Sequence, residues 1–261
     1  MRKKRTYFHL LLLILLLALT GCQIGTTTPV IPGDGGPPND ETDSEGSNGG
    51  ETVPQFGTLT GTVFDGVSGL SFWSGTATVN GKTIAIRNGL FQASNLPTGN
   101  YKVRVSKAFY HNKEISVTIK PGNNVVQVPM TVIFNHADLD LFARLVHAEA
   151  RGEIYRGQVA VAASVLNRVL HHNYPNTLRG VIVQRVNGVV QYSPVADGSI
   201  NLSAAPNAKN AVLDALVGWD PSNGATGFFA PAKVANRNNW VWKQTPIIDI
   251  GNHRFFRGNI D

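Results

Sequence analysis

The sequence predicts a multidomain chain in which an all-β antiparallel sandwich is followed by a mainly helical α+β domain. Three observations predict it. Between residues 57 and 134, apolar and polar residues alternate in short runs separated by Asn-Gly turns. At Asp138 the period changes from two to between three and four. Upstream of both lies a stretch with almost nothing to bury. The 261 residues suffice for two small domains and are too few for three large ones.

Residues 1–21 read as a signal peptide. Arg2 to Arg5 form a basic start, and Leu10–Leu19 is an almost unbroken apolar run that ends in Leu19-Thr20-Gly21-Cys22. The run is too short to span a bilayer and stops at small residues, as a cleaved signal does. Leu-Thr-Gly-Cys resembles the bacterial lipobox. The resemblance implies that Cys22 carries a diacylglycerol thioether and anchors the chain to a membrane. Cys22 is the sole cysteine, so an intramolecular disulfide or a Cys-rich zinc site is excluded.

Residues 22–56 are expected to be the lipidated cysteine and a disordered linker of Gly, Pro, Thr, Asp and Glu. Such a flexible chain spans about 30–35 Å on average. Its six acids stand without a single Lys or Arg. From Gly57 onward, 19 basic residues face 11 acidic ones. A mildly basic folded part behind an acidic tether suits an anionic polymer surface. The basic residues are scattered, and an exported protein meets little nucleic acid, so no nucleic-acid partner is expected. The chain is expected to be monomeric.

Within residues 57–134, strands are predicted at Thr58–Phe64, Ser74–Val79, Thr83–Arg87, Leu90–Ala93, Tyr101–Ser106, Glu114–Ile119 and Val125–Val132. Asn80-Gly81 and Asn88-Gly89 are type I′ hairpin turns, whose two central residues both need φ > 0. The run Leu96-Pro97-Thr98-Gly99-Asn100-Tyr101 and the opening Gly61-Thr62-Val63-Phe64-Asp65 resemble the carboxypeptidase-regulatory-like sandwich. That resemblance implies a spacer or binding module. Trp73, Phe109 and Tyr110 are more consistent with packing than with stacking on sugar.

Residues 135–261 carry the chemistry. Leu139, Phe142, Leu145, Val146 and Glu149 share one helical stripe, which Asn135 or Asp138 can cap and Gly152 can stop. Glu149 occupies a position where the stripe predicts a core residue. A carboxylate there is either salt-bridged, with Arg144 or Arg151 as partner, or poised with a raised pKa for general acid work. Further helices are predicted at Ile154–His172, Thr177–Val183 and Pro206–Val217, with a hairpin at Asn187-Gly188 and an extended stretch over Val241–Phe256.

Ala143-Arg144-Leu145-Val146-His147-Ala148-Glu149-Ala150-Arg151-Gly152-Glu153 resembles the opening motif of the SleB-type cell wall hydrolases, the spore-cortex-lytic family. Leu166-Asn167-Arg168-Val169, Tyr192-Ser193-Pro194, Gly218-Trp219-Asp220-Pro221, Pro231-Ala232-Lys233 and Ile250-Gly251-Asn252-His253 continue the likeness in order. It implies a lysozyme-like fold, Glu149 as general acid, and Gln191, Tyr192, Ser193 and His253 on a cleft for peptidoglycan glycan strands. Tyr192 and Ala230 depart from the usual Phe and Asn, which puts substrate preference in doubt.

Glycoside hydrolysis normally takes two carboxylates. Glu153 and Asp197 are the candidates for the second, and neither stands out. That favours a lytic transglycosylase cutting the MurNAc–GlcNAc bond, with an N-acetylmuramidase or a non-catalytic wall-binding lipoprotein as alternatives. No metal site and no cofactor are expected. There is no HExxH spacing, and His171-His172 is expected to be a helix-end pair with rings on different faces.

Overall fold

The computed structural model describes residues 54–258. The signal peptide, Cys22 and all but the last three residues of the expected linker lie outside that range. The linker gives way to strand at Phe56.

Seven strands come first: β1 (Phe56–Asp65), β2 (Ser74–Val79), β3 (Lys82–Arg87), β4 (Leu90–Pro97), β5 (Gly99–Ser106), β6 (Lys113–Ile119) and β7 (Gly122–Met130). They hydrogen-bond in the order β6-β5-β2-β3-β4-β1-β7. Alternation sets the buried face. Leu59 and Val63 of β1, Ala77 and Val79 of β2, and Val103 and Val105 of β5 all turn into one core with Phe72 and Met130. Burying a side chain the size of Phe72 contributes about 1.5–3 kcal/mol. Gly61 lies directly beneath Phe91, and a Cβ there would sit 2.0 Å from the ring.

Asn80-Gly81 and Asn88-Gly89 make the expected turns, with φ of 50° and 73°, and 49° and 77°. The β1–β2 loop is pinned by buried Asp65. Its Oδ1 accepts from the Ser68 backbone N–H at 2.6 Å and the Ser68 hydroxyl at 2.8 Å.

One expectation is corrected. The strands are not all antiparallel, because β7 runs parallel to β1 from Gly57↔Gly122 to Asp65↔Met130. Alternation reports which face is buried but not which distant strand lies alongside, or in which direction.

The helical part starts at His136 with α1 (His136–Ala150). Asn135, rather than Asp138, is its N-cap, accepting from the Asp138 N–H at 2.9 Å. Asp138 instead pairs with Arg179 at 2.8 Å, which ties α1 to α3 (Leu178–Ile182). The central helix is α2 (Tyr155–Leu170), whose alanines let α1 and α5 (Pro206–Leu216) pack closely. A hairpin, β8 (Arg185–Val186) and β9 (Val189–Val190), turns on Asn187-Gly188 and leads into α4 (Ser193–Asp197). Three further strands close the part: β10 (Gly227–Phe229), β11 (Thr245–Ile250) and β12 (His253–Arg257), in the order β10-β12-β11.

Trp240–Lys243 is a 3₁₀ turn, not part of an extended stretch. Its Trp-Val-Trp sequence imitates period two. Asn239 caps the turn, and Trp242 donates from its indole to the Val234 carbonyl at 3.2 Å. Trp240 stays 55% exposed. At the end of α2, the His171 and His172 rings stack at 4.6 Å and 17°, contrary to the expectation of different faces. His171 has already left helical dihedrals, and this brings consecutive rings together.

The strand and helical parts belong to one compact unit. The Trp73 N–H donates to the Val217 carbonyl at 2.9 Å, and the Trp73 indole stacks on Trp219 at 5.9 Å. Phe109 packs on Phe134 at 5.5 Å, and Tyr110 on Phe72 at 4.6 Å.

Candidate active site

Glu149 lies in the last turn of α1, half-buried beside the core residues Leu145, Val146 and Ala150. Neither arginine considered as a partner pairs with it. Arg144 forms an ion pair with Asp140 one turn back, at 3.0 Å, and no ion pair reaches Glu149 among the described residues. Burial pushes its carboxyl up to about 7. The charge of Asp197 adds to the rise, while Arg168 and Lys233 oppose it. Near neutral pH the group therefore holds its proton about half the time and can give it up.

Two cavities meet at this carboxyl. One, of about 430 Å³, is lined by Arg168, Gln191 and Tyr192. The other, of about 360 Å³, is lined by Arg151, Asp197, Lys233 and His253. Glu149, Ser193 and Phe228 line both. Two hollows on the strand part, of about 320 and 490 Å³, have no carboxylate on their walls. The chemistry therefore points to the cleft around Glu149.

All the residues expected on the cleft come together there. Gln191 is held by its backbone N–H, which donates to the Gln184 carbonyl at 3.0 Å. Ser193 opens α4 with its side chain exposed. His253 is buried on β12 against Phe228, 5.1 Å between ring centroids, and burial lowers its pKa, which favours the neutral imidazole.

Tyr192 lines the cleft but does not present an open ring face to it. It is 3% exposed, with the Arg168 guanidinium 4.9 Å over its ring. Burial pushes its phenol up to about 12.

Glu153 faces elsewhere. Its carboxylate accepts from the Asn252 backbone N–H at 2.8 Å and from the Asn252 side chain at 3.1 Å, and so clamps the β11–β12 turn. Asp197 remains on the cleft wall, and hydrogen bonds from Ser199 hold its carboxyl below the usual range.

Sequence reasoning did not single out Arg168, Phe228 or Lys233. For Arg168 the signal was present. It is a charge on the buried face of α2, its Nε donating to the Thr226 carbonyl and its plane lying between Tyr174 and Tyr192.

A carboxyl with a raised pKa at the junction of two cavities, on a helical frame, is the arrangement a general acid needs. The helical part can be placed more closely, because residues 152–256 match the family model described as Cell Wall Hydrolase. Glu149 stands just before the matched span.

The chain is similar to the spore cortex-lytic enzyme of Bacillus cereus (strain ATCC 14579), 42% identical over 135 residues, covering 52% of this chain and 49% of that enzyme. It is similar to the enzyme of the same name from Bacillus subtilis (strain 168), 42% identical over 122 residues, covering 47% and 38%. It thus spans about half, or less, of the length of these curated relatives. Among solved structures it is similar to the catalytic domain of the germination-specific lytic transglycosylase SleB from Bacillus anthracis. Identity is 42%, with a TM-score of 0.44, over 48% of this chain and 98% of that one.

Proposed function

We propose that this chain is an extracytoplasmic enzyme, anchored through lipid on Cys22, that cuts peptidoglycan glycan strands at the MurNAc–GlcNAc bond as a lytic transglycosylase. The observation that carries the reading is the Glu149 carboxyl, pushed up to about 7 where two cavities meet. The names of the relatives, cortex-lytic enzymes, support the same polymer. Residues 57–134 serve as a carboxypeptidase-regulatory-like sandwich module, and residues 135–261 as a lysozyme-like catalytic domain.

In this mechanism, Glu149 donates its proton to O4 of the leaving GlcNAc as the C1–O4 bond breaks and its electron pair stays on oxygen. The resulting carboxylate then takes the proton from the C6 hydroxyl of MurNAc, and O6 closes on C1. The products are a 1,6-anhydromuramoyl end and a GlcNAc with a free 4-hydroxyl, with no water consumed. Gln191, Ser193 and His253 orient the sugars on the two sides of Glu149.

The muramidase reading has one observation in its favour. Asp197 shares a cavity with Glu149, and the two carboxyls are pushed in opposite directions. Such a split is what an acid–base pair needs. Digestion of purified peptidoglycan, read by mass spectrometry, tests both. Anhydro-muropeptides from wild type and none from Glu149→Gln are expected. Reducing MurNAc ends, lost in Asp197→Asn, would replace the transglycosylase with a hydrolase. Wall binding without release of fragments would leave a binding lipoprotein.

A further inference from the structure

Lys107 follows β5 at the seam between the strand and helical parts, far in sequence from the cleft residues. Its side chain is half-buried, with Nζ 5.7 Å from the centroid of the Phe72 ring. Among the described residues the ammonium has neither a hydrogen bond nor an ion pair. Burial without a countercharge lowers its pKa to about 8.

Lys107 lines a hollow of about 490 Å³ whose other walls include Ser74, Thr76, Ser106 and Asn112, with no acid among them. The helical part approaches with Gly218, at φ +107°. A Cβ at that position would sit 2.9 Å from Nζ and 3.2 Å from the Ser74 hydroxyl. The positive φ favours glycine there, and a Cβ would require the flexible end of Lys107 to shift.

We propose that this hollow binds an oxyanion, a carboxylate or phosphate group, with Lys107 as the countercharge and the Ser74 and Ser106 hydroxyls and the Asn112 amide as donors. A partly desolvated cation gains most from an ionised acceptor, whereas a neutral sugar would leave it uncompensated. The polymers of an anionic wall carry both chemistries, as peptide carboxylates and as phosphodiesters.

The test is calorimetric titration of the full chain with inorganic phosphate and, separately, with acetate, alongside Lys107→Met and Lys107→Arg. Met keeps the length and the contact with Phe72 but removes the charge. Thermal melts establish that both variants fold. Saturable binding that weakens about tenfold or more in Lys107→Met and survives in Lys107→Arg is expected. Response to phosphate alone assigns a phosphate-bearing ligand, and response to acetate alone assigns a peptide carboxylate. No saturable binding of either, or equal binding by Lys107→Met, overturns the proposal. Glu149 plays no part in these readouts, so failure here leaves the proposed cleavage standing.

Discussion

The two carboxyls of the cleft are separated by their surroundings. Burial against the core raises the Glu149 carboxyl, whereas hydrogen bonds donated by Ser199 favour the ionised form of exposed Asp197. Glu149→Gln should lower glycan release by about 10²–10⁴-fold. Wild-type activity should fall as pH rises through about 7, where the acid form is lost.

The same group has a stability signature. Its folded pKa lies above the unfolded value of 4.5, so the folded protein binds the proton more tightly. Stability tied to this group is therefore full below 4.5 and is lost as pH rises toward about 7. Glu149→Gln should match wild type at pH ~4 and exceed it at pH ~8 by on the order of 1–3 kcal/mol in denaturant melts.

Arg168 works against the raised pKa. Arg168→Met should cost about 1–3 kcal/mol, since it removes the hydrogen bond to the Thr226 carbonyl and the contacts with two tyrosine rings, and should move the falling limb of the pH profile to higher pH. Both residues were legible by one rule, a charge on an apolar helical stripe. Glu149 stood out because the stripe of α1 is short and clean. The buried face of α2 is so wide, from Gly157 to Leu166 without a break, that one arginine did not register as an intruder.

At the scale of elements, the β11–β12 turn holds His253 against Phe228, and Glu153 holds the turn. Glu153→Ala should lower stability by about 1–3 kcal/mol, through loss of two hydrogen bonds to Asn252. If its role is a clamp, Glu153→Gln, which can still accept, should retain most of the wild-type activity, and an assay of both variants separates clamp from catalyst. Gly251→Ala should be as damaging as Glu153→Ala in a thermal melt. A Cβ there would meet the Glu153 carboxylate at 2.2 Å, at a φ of +59°. Local elements were readable wherever a cap or turn residue marks them, as at Asn135, Thr177 and the three Asn-Gly pairs. They were misread where local period misleads, as at Trp240–Lys243, and where pairing is remote, as for β1 beside β7.

At the scale of the whole molecule, the strand and helical parts share a seam built from Trp73, Trp219 and the Val217 carbonyl. Trp73→Ala should remove that stacking and lower the melting temperature. If the seam couples the parts, calorimetry should then resolve two transitions where wild type shows one. The seam was not legible in sequence, because Trp73 read as a packing residue and Trp219 as part of a motif until the fold set them 5.9 Å apart.

The parallel pairing of β1 and β7 has a mechanical consequence. The chain enters β1 at Phe56 and leaves β7 at Met130, at opposite ends of nine paired positions. If the chain is held upstream of Phe56 and its helical part is held elsewhere, tension pulls the two strands past each other along their length. Every backbone bond of the pair is then loaded in shear at once, instead of opening one after another as an antiparallel hairpin unzips. An enzyme that works on a polymer under turgor would gain from a link of this kind, which yields late and all together.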